Sequence, residues 1–114
     1  MIQSVTEQEI ATYNERGYVV PDIQLSVDRV RELDAAVQRL IANNPNVRPE
    51  RLVSVHIDRM NDEGVRGDEV FFKLATDPVI VGAVEKVMGP DVVLWGCQVF
   101  CKPASDGMEV PMHQ

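Results

Sequence analysis

The chain has 114 residues, 45% hydrophobic and 25% charged. Those are the proportions of one ordinary small globular domain, not of a fibrous or disordered polymer. Its 18 acidic residues outnumber 11 basic ones for a net charge of -7. That is the wrong sign for a surface that displaces counterions from nucleic acid. Its apolar runs span only a few residues, where a bilayer span takes about 20. "MIQSVTEQEI" shows neither a basic n-region nor an apolar h-region, so the expectation is a cytoplasmic protein with no membrane or nucleic-acid partner.

In chain order, Thr6 to Arg16 reads as a short helix closed by Gly17. "GYVVP" follows as a brief apolar strand ending at Pro21. Ser26 is placed to cap the next helix, with Asp28 in its first turn. Val27, Val30, Leu33, Val37, Leu40 and Ile41 recur at three-to-four spacing along it. The pattern fades at Asn43-Asn44-Pro45, and "NNPNVRPER" reads as loop.

"LVSVHID" alternates as a strand would, with Leu52, Ser54, His56 and Asp58 on one face. "RMNDEGVRGDE" is loop, or the approach to the following helix, and "VFFKLA" leads on to "TDPVIVGAVEKVMGP". In that helix Thr76 or Asp77 caps, Pro78 occupies the first turn, and Gly89-Pro90 ends it. "DVVLWGCQVFCKP" is rich in β-formers and is predicted to be a strand. A turn-rich "PASDGME" and then "VPMHQ" complete the chain.

Cys97 and Cys101 lie four residues apart on that predicted strand, or about 13 Å. A disulfide tolerates no more than about 7 Å between Cα atoms, so two free thiols on one face are expected. Trp95, Cys97, Val99 and Cys101 share the apolar face expected to pack; Gln98 and Lys102 share the other.

Any histidine chemistry must use His56 or His113, the two histidines present. The bland expectation for each is a packed or surface residue that binds nothing. A sharper one joins His56 and Asp58, on one strand face, with His113. Together they would make a two-histidine, one-carboxylate iron site within this chain.

A third reading takes the C-terminal third as a unit. An Asp-Pro-capped helix ending "GP", a strand running into "KP", a loop with "DG", and then "HQ" resemble the phytanoyl-CoA dioxygenase family. "GYVVPDIQLSVDRVREL" is similar to that family's N-terminal segment. The resemblance implies an iron(II)- and 2-oxoglutarate-dependent oxygenase that hydroxylates a small organic substrate. It implies an α+β fold, with N-terminal helices over a double-stranded β-helix, or jelly roll. Residues 1–90 would be a mainly helical layer and 91–114 the first core strands of a single domain.

It also implies roles. His113 matches the first iron ligand of a His-Gln-Asp motif, and Gln114 its middle position. Lys102 matches a lysine lining the site, where its charge attracts the 2-oxoglutarate or substrate carboxylate. Gln98 lies on the same face, and His56 is not a ligand in this family. The family's aspartate, distal histidine and 2-oxoglutarate-binding arginine have no counterpart in these 114 residues. The chain is therefore expected to be the N-terminal part of the domain and inactive alone. The alternative is a non-catalytic binding module or a degenerate relative.

Overall fold

A computed structural model describes residues 3–113. Four α-helices carry its regular structure: α1 (Glu7–Arg16), α2 (Val27–Asn43), α3 (Glu69–Ala75) and α4 (Pro78–Met88). A single 3-10 turn, Pro49–Arg51, interrupts the long connection between α2 and α3.

The helix ends follow from side chains that satisfy orphan backbone groups. At α1, Thr6 Oγ1 accepts from Glu9 N–H (3.2 Å), and the Glu9 carboxylate accepts from Thr6 N–H (2.8 Å). That reciprocal pair is a capping box. At the other end Gly17 adopts φ 82°, a left-handed conformation open to glycine without a Cβ penalty, and donates its N–H to Tyr13. Ser26 caps α2 and Asp77 caps α4, with Pro78 at the first position. All three helices agree with the sequence expectation.

Two expectations about helices need correction. The segment "EVFFKLA" is a helix of its own, α3, capped by Asp68, whose side chain accepts from Val70 N–H. Seven residues are too few for periodicity to reveal it. On α2, Val27 and Val30 are 66% and 52% exposed, so the first turns of its apolar stripe project beyond the core. Burial begins further along, where Ala36 and Leu40 are completely enclosed.

α2 packs on α3, α3 against α4, and α1 against α4. The core lies between α2, α3 and the connecting chain. Ala36 and Leu40 come from α2, Val70 and Phe71 from α3, and Leu52, Val55 and Val65 from the connection. A segment with little regular structure thus supplies three of these seven side chains. It can do so because two buried asparagines satisfy its backbone. Asn61 donates from Nδ2 to the carbonyls of Val53 and Ser54, and its Oδ1 accepts from Glu63 and Val65. Asn44 acts the same way on Leu40 and Arg66. Buried backbone groups without such partners would carry a desolvation penalty.

The expected strands are the larger correction. Among the described residues no stretch pairs over enough positions to form a strand; only the bridges Leu52–Val99 and Met60–Arg66 form. "GYVVP" is not paired as a strand, and the chain just after it is held by side chains, Glu9 accepting from Asp22 N–H and Gln3 pairing with the Gln24 backbone. "LVSVHID" does not stay extended, because Ser54 takes φ 53° and Ile57 N–H closes a turn onto Ser54 at 3.2 Å. His56 therefore sits in a turn, and the shared strand face with Asp58 does not exist.

Candidate functional site

The segment carrying the predicted site residues is extended and lies along the connection that enters the core. Val55 donates to Cys97, Val99 to Leu52 and Cys101 to Pro49, each at 3.0 Å. The two-residue alternation expected of a strand survives in this stretch. Cys97, Val99 and Cys101 turn inward and are partly buried, whereas Gln98, Phe100 and Lys102 are exposed. Burial pushes the Cys97 thiol above its usual pKa. Both cysteines are free. Trp95 departs from expectation: it is 98% exposed and packs on nothing.

Gln98 borders an open groove of about 480 Å³ together with Val53, Ser54, Glu63 and Trp95. Lys102 lies outside that groove, and its side chain runs across Gly107. A Cβ at position 107 would collide with Lys102 Cγ and the Pro103 carbonyl. Glycine is thus what lets the "ASDG" turn fold back under the lysine stem.

His113 is exposed, and its Nδ1 stands 2.8 Å from the Pro111 carbonyl. A carbonyl only accepts, so this contact requires a proton on Nδ1, and in the neutral ring Nε2 is then the nitrogen whose lone pair can bind a metal. Gln114 lies outside the described residues.

The structure does not assemble the in-chain iron site. Among the described residues no group of three His, Cys, Asp or Glu stands close enough to hold a metal ion. His56 is half-buried in its turn, and Asp58 is exposed. One imidazole with a free Nε2 is a suitable ligand but not a site, since iron in such enzymes takes three protein ligands. The residues described here do not by themselves fit the metal.

A cluster that sequence reading passed over lies beside this segment. Glu50, in the loop "NNPNVRPER", is 7% exposed. Its Oε2 accepts from Arg48 Nη2 (2.9 Å) and from Met108 N–H. Arg48 Nη2 also donates to the Asp106 carbonyl at 2.7 Å. The Arg48 guanidinium, with the Met108 amide, pushes the Glu50 carboxyl down to about 2. An acid after a proline, in a polar loop with two arginines, carries no periodic signal that would have exposed it.

Residues 13–114 match the protein family Phytanoyl-CoA dioxygenase (PhyH). The chain belongs to the phytanoyl-CoA dioxygenase family. Comparisons with curated proteins and with solved structures give no match. The phytanoyl-CoA dioxygenases are oxygenases of jelly-roll fold, generally dependent on iron(II) and 2-oxoglutarate. The matched region spans the Gly89–Gln114 stretch and all of α2, α3 and α4. No helix among the described residues is long and apolar enough to cross a membrane.

Proposed function

We propose that this chain is the N-terminal part of an iron(II)- and 2-oxoglutarate-dependent dioxygenase that hydroxylates a small organic substrate, and that it is inactive alone. The observation that carries the reading is the family match, which runs through His113. The Nδ1 contact of His113 with the Pro111 carbonyl, which in the neutral ring leaves Nε2 to ligate, supports its role as the first iron ligand. Lys102, exposed and with its stem held over Gly107, would attract the carboxylate of 2-oxoglutarate. Gln98, outward-facing on the same segment, would add an amide hydrogen bond.

In this reading residues 1–90 form the helical layer of one domain, and 91–114 supply the first strands of its jelly roll. Inactivity alone is supported by the lack of a three-residue ligand group among the described residues and by the one-sided pairing of residues 97–101 with the core connection. In the longer protein iron would supply the oxidation, and the part of these residues would be to bind and orient.

The test is iron content and 2-oxoglutarate turnover, measured on the 114-residue chain and on a longer product of the same gene. The longer protein is expected to hold iron and form succinate, and to lose both with His113→Ala. Stoichiometric iron and turnover in the 114-residue chain would overturn the reading, as would a longer protein indifferent to His113→Ala. The second reading, a non-catalytic binding module, is favoured by the incomplete metal site. It is the outcome if the gene encodes no further ligands.

A further inference from the structure

Past Cys101 the backbone pairing with the core connection ends, and residues 109–113 are exposed throughout. Among the described residues the Met108 N–H to Glu50 bond is the last tertiary hydrogen bond before His113. The Arg48 contact to the Asp106 carbonyl stands just ahead of it. Both join positions 58 residues apart in sequence. The point at which the His113 segment leaves the core therefore depends on one buried acid and one arginine.

We propose that Glu50 and Arg48 are positioning residues. They form a latch that clamps the backbone at 106–108 to the core connection, and so fix where the segment carrying His113 departs from the core. The name rests on the reading of His113 as a metal ligand.

Three features support the latch. First, Glu50 sits on the 3-10 turn Pro49–Arg51, and Pro49 accepts from Cys101 N–H at 3.0 Å. The same turn thus grips the segment on both sides of the "KPASDG" loop. Second, the two hydrogen bonds reach main-chain groups and so set the path of the backbone, with a longer Arg48–Asp106 carboxylate contact of 3.9 Å beside them. Third, Glu50 Oε1 is buried without a hydrogen-bond partner among the described residues. A buried carboxylate with one oxygen unmatched is an expensive way to add stability. Such a group makes more sense as a specifier of geometry.

The inference is tested by nuclear magnetic resonance on the 114-residue chain. Glu50→Ala and Arg48→Ala are expected to raise Met108 amide exchange about tenfold, as loss of a charge-assisted hydrogen bond should. Order parameters at Glu109–His113 are expected to fall below about 0.6 while α2 stays near about 0.85. Residual dipolar couplings of the same amides, which report the direction of the segment relative to α2, should collapse toward zero. Glu50→Gln, which keeps an acceptor for Met108, should restore part of each effect.

The latch is overturned if both alanine variants leave Met108 exchange and the couplings unchanged. It is also overturned if residues 109–113 are already disordered in the unaltered chain. Should Glu50→Ala unfold the protein, the exposed Arg48 decides the matter. These readouts need no metal. They can fail while His113 still proves to be a ligand, and they can hold if His113→Ala leaves iron binding in the longer protein untouched.

Discussion

Asn44 holds Arg66 by its backbone from both directions. Nδ2 donates to the Arg66 carbonyl at 2.9 Å, and Oδ1 accepts the Arg66 N–H at 2.8 Å. Nδ2 also reaches back to Leu40 at 2.7 Å. One side chain, 4% exposed, thereby closes the end of α2 onto a loop 22 residues away. Asn44→Ala is expected to leave two carbonyls and one N–H without partners and to lower stability by roughly 2–4 kcal/mol. Asn43→Ala, one position earlier and exposed, should stay within about 0.5 kcal/mol. Urea denaturation of the two variants checks the contrast.

Gly67 and Gly64 make a second contrasting pair. An added Cβ at Gly67 would drive into the carbonyls of Val55 and Ile57, and main-chain atoms cannot yield as a flexible side chain would. Gly67→Ala is expected to cost about 3 kcal/mol or more, or to prevent folding. Gly64 has open space around it but a φ of +80°, so Gly64→Ala meets only the left-handed penalty of about 1 kcal/mol. Equal effects in thermal unfolding would contradict the tight packing of the connection at position 67.

Acid should loosen the Glu50 latch. The Arg48 hydrogen bond, then the Met108 amide, lower the Glu50 pKa from 4.5 to about 2 on folding. A depressed folded pKa means that the contribution is complete above about 4.5 and is lost as pH falls toward about 2. Glu9 titrates in the same sense, held down by the backbone N–H groups of Thr6 and Asp22. Glu50→Gln should therefore flatten part of the acid limb of stability and leave the part due to Glu9. Denaturation curves recorded from neutral pH downward, with and without the substitution, measure it.

Cys97 should be a sluggish nucleophile. Burial raises its pKa, which lowers the thiolate fraction at neutral pH. Peptide mapping after brief alkylation should show Cys97 modified more slowly in the folded chain than in urea. A Cys97–Cys101 disulfide should not form on mild oxidation, because the extended segment keeps the two positions apart. Rapid labelling of Cys97 in the folded state would mean that the segment detaches from Val55 and Leu52.

How much was legible depended on whether the signal was local. The Gly17 end of α1 and the caps of α2 and α4 were readable because Gly17, Ser26, Asp77 and Pro78 act on backbone groups within one turn. The inward and outward alternation at 97–102 was readable for the same reason: it follows from the pleat of an extended chain. Trp95 broke the pattern because it has nothing to pack against among the described residues. The "LVSVHID" strand failed because a positive φ at Ser54, supported by Asn61 and a turn, outweighed β propensity.

The sequence by itself determined the helices α1, α2 and α4, the free cysteines and the family signature that runs through His113. Each of these is written in neighbouring residues. Only the tertiary structure decided that Glu50 meets Met108, that Asn44 and Asn61 carry the core connection, and that His56, Asp58 and His113 form no shared site. Those outcomes depend on contacts between distant parts of the chain. A polar residue in a loop gives no periodic sign of the backbone group it will satisfy once the chain has closed.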